Sequence, residues 1–130
     1  MKLTKKILLV EDEKCLAEAV KIKLEINGFQ VLPADSVDRA KDLINKNSVD
    51  FVWLDHYLLG EENGLDFVAN IKSQDSTNKN IPIFVVSNTA SNDKIQSYIK
   101  FGINKYYVKA EHSLEQIIGD LKNSPKIDYP

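Results

Sequence analysis

The sequence has 130 residues, 43% of them hydrophobic and 28% charged, with 5 Gly, 4 Pro and one cysteine. That length and apolar content fit one globular domain with its own core, and exclude a disordered chain, a collagen-like repeat or a disulfide scaffold. A balance of 17 basic against 19 acidic residues, net −2, is too even to draw the chain to nucleic acid or to a membrane by charge alone.

The basic start at Lys2, Lys5 and Lys6 leads into Ile7-Leu8-Leu9-Val10 before Glu11 and Asp12 intervene. That run is far shorter than the about 20 apolar residues of a membrane span. With the lone thiol of Cys15 suiting a reducing compartment, a cytoplasmic protein is expected.

In chain order, Ile7-Leu8-Leu9-Val10 has the unbroken apolar character of a parallel strand covered on both faces. Leu16, Ala19, Val20 and Leu24 form a helical stripe, stopped by Asn27 and Gly28. Phe29-Gln30-Val31-Leu32 mixes polar residues with β-formers, as an edge strand does, and Val37, Ala40, Leu43 and Ile44 make the next helical stripe. Phe51-Val52-Trp53-Leu54 is a third strand, buried like the first, and Asn63 is placed to cap a helix carrying Leu65, Val68 and Ile71. Ile83-Phe84-Val85-Val86 is the fourth strand, followed by a helix with Ile95, Tyr98 and Ile99 that Gly102 stops. Lys105-Tyr106-Tyr107-Val108 reads as a second edge strand, and Ser113 with Gln116 as a capping box ahead of Leu114, Ile117 and Ile118. The domain is expected over residues 1–122, with 123–130, which holds Pro125 and Pro130, as a tail or the start of a linker.

Five alternations of strand and helix predict an α/β fold: a doubly wound, five-stranded parallel sheet with helices on both faces. With the second and fifth strands at the edges the order is 2-1-3-4-5, and the winding reverses between the first and third strands, where ligands bind beyond the strands' carboxyl ends. The first strand runs into Glu11 and Asp12 and the third ends at Asp55, so three carboxylates converge there. Like charges at close range raise one another's pKa values, and a hard divalent cation such as Mg²⁺ keeps such a group ionised. Ser87 and Lys109 end the fourth and fifth strands at the same crevice. A cation, an ammonium, a hydroxyl and a carboxylate nucleophile are what phosphoryl transfer needs.

This constellation resembles the response regulator receiver domain, the CheY-like family of two-component signalling, from Lys6 to about Leu121. The resemblance rests on Val10-Glu11-Asp12-Glu13, Leu54-Asp55, Val86-Ser87 and Tyr106-Tyr107-Val108-Lys109 in that order. It implies that Asp55 is the phosphoacceptor, taking a phosphoryl group from a histidine kinase or a histidine phosphotransfer protein. Mg²⁺ would be held by Glu11, Asp12, Asp55 and the backbone carbonyl of Tyr57. Lys109 would contact the phosphoryl group, Ser87 would swing towards it, and Tyr106 would turn inward as Ser87 moves. The output surface would span about 91–121, for a downstream target or a second copy of the chain, with no direct binding of nucleic acid or membrane. Self-catalysed phosphoryl transfer and hydrolysis are implied, without turnover of a free substrate.

Four positions depart from the family's pattern. Ala110 stands where proline usually follows a cis peptide bond, so the loop after Lys109 is expected to bend differently or to carry strain. Leu59 replaces a common proline, the loop Gly60–Gly64 is one residue longer than usual, which predicts a bulge, and Asn88 follows Ser87 where a small residue is preferred.

Plainer readings compete residue by residue: Glu11 and Asp12 alone fit a helix N-terminus, and Lys109 alone a solvated charge. Their shared place at successive strand ends favours the site. His56 is expected to turn away from Asp55 or lie at the rim, without a role, because neighbouring strand residues face opposite sides. His112 is expected at the surface, and Cys15 to pack or stay idle. The competing functions are a pseudo-receiver, an interaction module indifferent to phosphorylation, and a small Mg²⁺-dependent phosphohydrolase, against which stands Tyr57 where such enzymes place a second acid. The residues after Leu121 are too few for an output domain, which predicts a single-domain regulator or a segment of a longer protein.

Overall fold

A computed structural model describes residues 4–58, 60–73, 75–88 and 91–123. Five strands, β1 (Lys6–Val10), β2 (Gln30–Ala34), β3 (Phe51–Leu54), β4 (Ile83–Ser87) and β5 (Lys105–Val108), alternate with five helices, α1 (Lys14–Ile26), α2 (Val37–Lys46), α3 (Gly64–Ile71), α4 (Asn92–Lys100) and α5 (Leu114–Asn123). The strands form one sheet in the order β2-β1-β3-β4-β5, and each neighbouring pair is parallel.

Strand alternation splits the core into two layers. Leu8, Val10, Val52, Leu54, Ile83 and Val85 face α2, α3 and α4, where they meet Ala40, Ile44, Phe67, Val68, Ile71 and Tyr98. Ile7, Leu9, Phe51, Trp53, Phe84 and Val86 face α1 and α5 and pack on Val20, Leu24, Ile117, Ile118 and Leu121. Burying each large apolar side chain contributes about 1.5–3 kcal/mol, and β1, β3 and β4 are buried along their apolar runs because helices cover both faces.

Helix ends follow local chemistry. Glu13 caps α1 by accepting from the backbone N–H groups of Cys15 and Leu16. Ser36 accepts from Arg39 N at the start of α2, Asn63 and Asp66 make a reciprocal capping box on α3, and Ser113 Oγ accepts from Gln116 N at 3.1 Å on α5. Gly28 and Gly102, with φ of 92° and 89°, supply the left-handed turns after α1 and α4.

Some local expectations shift. β2 begins one residue later than its pattern and runs on through Pro33 to Ala34, since an edge strand tolerates a residue without an N–H. Ala19 is exposed, and Ala17 with Leu16 packs in its place, while Ile99 is 53% exposed and leaves Tyr98 as the buried residue of α4. α5 extends to Asn123, and residues 124–130 of the expected tail lie outside the described residues, as does Leu59. Among the described residues there is no cis peptide bond, so the loop at Lys109 and Ala110 takes the other expected course and bends differently. His112 is half-buried rather than on the surface, its ring edge-on to Tyr107 at 5.1 Å, and Cys15 is exposed.

Candidate functional site

The sheet carries its ladder past the strand ends and so fixes the residues beyond them. Asp55 N donates to Val10 O at 2.9 Å, Glu11 N to Ala34 O at 2.9 Å and Lys109 N to Ser87 O at 2.8 Å. Glu11, Asp12 and Asp55 thereby meet at the winding reversal between β1 and β3, each with a carboxylate oxygen within 4.8 Å of the others. Glu11 and Asp55 are buried and Asp12 half-buried. Because Glu13 caps α1, Glu11 and Asp12 are not spent on the helix N-terminus.

Lys109 Nζ reaches into this group, donating to Glu11 Oε1 at 2.8 Å and to Asp55 Oδ2 at 3.4 Å. Burial opposes the lysine's charge, but the hydrogen bond to Glu11 and the Asp55 charge outweigh it, and its pKa lies above the ordinary value. Burial pushes the Glu11 carboxyl up, against the hydrogen bond from Lys109, with the Asp55 charge adding to the rise. Asp12 is raised by burial and then by the charge of Glu11. One ammonium therefore leaves this carboxylate cluster under-neutralised. An all-oxygen donor set with excess negative charge fits a hard divalent cation of the Mg²⁺ kind better than a soft one.

Ser87 is fully buried at the end of β4, and burial raises the Tyr106 hydroxyl while a hydrogen bond with Ser87 lowers it. Tyr106 is half-buried, its ring 5.7 Å from that of Tyr98. Tyr57 follows in the loop after β3, 52% exposed, its hydroxyl accepting from Lys94 Nζ at 2.9 Å. Asn88 is exposed beside Ser87. Glu11, Asp12, Asp55, Ser87 and Lys109 thus lie at this end of the sheet, with Tyr57 in the adjoining loop.

His56 departs from expectation. It is 3% exposed, not at the rim; its backbone N–H donates to Asp55 Oδ1 at 2.8 Å and its Nδ1 lies 2.7 Å from Tyr98 Oη. Its ring stands edge-on to that of Tyr98 at 5.7 Å, so α4 covers it there. Gly64 shares this packing: its N–H donates to His56 O at 2.9 Å, and a Cβ on it would overlap Tyr98 Oη.

A family model, the response regulator receiver domain, matches residues 7–121. The chain belongs to this family. The receiver domain is 30% identical over 107 residues to the phosphate regulon transcriptional regulatory protein PhoB of Escherichia coli, covering 82% of this chain and 46% of PhoB. It thus spans less than half the length of that relative. It is 29% identical over 121 residues to the chemotaxis protein CheY1 of Helicobacter pylori, covering 88% of this chain and 97% of CheY1. Among solved structures, the non-phosphorylated HemR receiver domain of Leptospira biflexa superposes with a TM-score of 0.85 at 26% identity, over 98% of each chain. The receiver domain is accordingly a CheY-like module of two-component systems. Among the described residues, no helix is long and apolar enough to cross a membrane.

Proposed function

We propose that this receiver domain is a phosphorylation-controlled switch whose phosphoacceptor is Asp55. The observation that carries the reading is the buried Asp55 carboxylate with Oδ1 held by His56 N–H and Oδ2 facing Lys109. A carboxylate oxygen attacks the phosphorus of a phosphohistidine on a histidine kinase or histidine phosphotransfer protein. The O–P bond forms as the N–P bond breaks, and the histidine nitrogen departs with the electron pair.

Glu11, Asp12, Asp55 and the carbonyl of Tyr57 are the residues to hold Mg²⁺. When bound, the ion supplies charge neutralisation for the phosphoryl oxygens and for the carboxylate cluster. Lys109 stabilises the negative charge that develops on the transferring group, from a position already within reach of Asp55. Ser87 gains a phosphoryl oxygen as partner, which alters its hydrogen bond with Tyr106 and passes the change to the surface of residues 91–121. That surface is the docking face for a downstream target or for a second copy, and hydrolysis of the aspartyl phosphate at the same site resets it. The setting is cytoplasmic, as the phosphodonors require.

The test is intact mass after incubation with Mg²⁺ and acetyl phosphate. One phosphoryl adduct is expected, absent in Asp55→Asn and without metal. If neither an adduct nor a response to beryllofluoride with Mg²⁺ develops, the domain acts as a phosphorylation-independent interaction module.

A further inference from the structure

The first helix of the proposed output face is held by little. Tyr98 is the one buried side chain of α4, and Ile99 on the same helix is 53% exposed. The seat of α4 on the sheet therefore depends on what Tyr98 touches. Its ring contacts Tyr106, with centroids 5.7 Å apart at 51°, and stands edge-on to His56 at 5.7 Å and 84°. Its hydroxyl ends 2.7 Å from His56 Nδ1, and His56 in turn donates its backbone N–H to Asp55 Oδ1 at 2.8 Å.

We propose that the buried His56–Tyr98 hydrogen bond carries the state of the Asp55 carboxylate to α4, which makes His56 and Tyr98 positioning residues of the switch. The proposal rests on the receiver reading above and deepens it by naming a route from the phosphoacceptor to the helix. The route is short: the Asp55 carboxylate, the His56 N–H, the imidazole, the Tyr98 hydroxyl and α4.

The contact between His56 Nδ1 and Tyr98 Oη, 2.7 Å long and between two buried residues, is the hydrogen bond the route needs. A hydrogen bond excluded from water is stronger than one at the surface, and its loss leaves a buried polar group unpaired.

Nor is there slack in the route. Gly64 leaves no room for a side chain beside Tyr98 Oη and the backbone of Asp55 and His56, so the three residues are packed closely around it. Phosphorylation of Asp55 changes the charge and geometry at the oxygens that His56 N–H addresses. A displacement of His56 is then transmitted to Tyr98, and from Tyr98 both to α4 and to the ring of Tyr106. The exposed contact between Lys94 and Tyr57 also links α4 to the loop after β3, but it is open to solvent and screened.

The test compares amide chemical shifts of the parent protein and Tyr98→Phe, each with and without Mg²⁺ and beryllofluoride. In the variant, shifts at Glu11, Asp55 and Lys109 are expected to match the parent's, while those over residues 92–100 shrink by about twofold or more. A purely packing role for Tyr98 would leave the α4 response at its parental size, which would overturn the proposal. Should Tyr98→Phe fail to fold, the side-chain ¹⁵N resonances of His56 in the parent decide. The Nδ1 resonance is expected to move on adding beryllofluoride, and an unmoved resonance sinks the proposal. A parent whose Glu11, Asp55 and Lys109 amides do not respond would remove the receiver reading itself, and this proposal with it.

Discussion

Gly64→Ala is the sharpest test of the packing behind the phosphoacceptor. Gly64 starts α3 without a positive φ, so its need is for space rather than for an unusual backbone. A Cβ there would lie 2.9 Å from Asp55 O and 3.1 Å from His56 Cα, and closer still to Tyr98 Oη. Two of the three neighbours are backbone atoms of the strand end and cannot swing aside. Overpacking of this kind costs about 1–3 kcal/mol, while alanine's better helix propensity returns up to about 1 kcal/mol. The net expectation is a loss of about 1–2 kcal/mol, or a urea midpoint lower by about 0.5–1.5 M for a domain of this size. Equilibrium unfolding followed by circular dichroism measures it. A midpoint equal to or above the parent's would show that helix propensity wins and that the strand end yields easily, refuting the argument.

Two further outcomes follow from the charges. Lys109→Met leaves the buried Glu11 without its ammonium, which is expected to lower stability at neutral pH by about 1.5–3 kcal/mol. The deficit should shrink as the pH falls, because the Glu11 carboxyl, already raised by burial, takes up a proton and no longer needs a cation; an undiminished deficit at low pH would contradict this. Asp120 accepts from Tyr107 Oη at 2.6 Å and from Lys105 Nζ at 3.3 Å, and these partners hold its pKa below the ordinary 3.8. A depressed folded pKa gives stability that is present above about pH 3.8 and is lost as the pH falls through the folded value. The urea midpoints of the parent and Asp120→Asn should therefore differ at neutral pH and converge in acid, and a gap constant with pH would count against the pairing.

Strand order, the two helical layers and the convergence of Glu11, Asp12, Asp55, Ser87 and Lys109 are written in local pattern. An unbroken apolar run needs cover on both faces, and a polar residue placed directly after it must lie at the sheet's edge of chemistry. The environment of His56 is not written locally. Alternation between strand faces carries no information on its burial, which depends on Tyr98, 42 positions away. A tyrosine set between Ile95 and Ile99 in the helical pattern was the available signal. Ala17 and Ala19 on α1 are the same residue type, so hydrophobicity alone does not separate them, and Pro33 in β2 reads as a breaker until the strand is known to be an edge.

The single tryptophan gives this architecture an experimental consequence. Trp53 lies on the sheet face that packs on α1 and α5, and it borders a cavity that Glu11 and Lys109 also line. Tyr98 and Tyr106 sit on the opposite face. Emission from Trp53 should thus follow events among the carboxylates from behind, with the sheet standing between it and α4. An unchanged tryptophan spectrum would say nothing about whether that helix had moved, whereas tyrosine ring resonances would read the far side directly. One chain carries two reporters separated by its own sheet, and the order in which they respond would time the chemistry against the rearrangement.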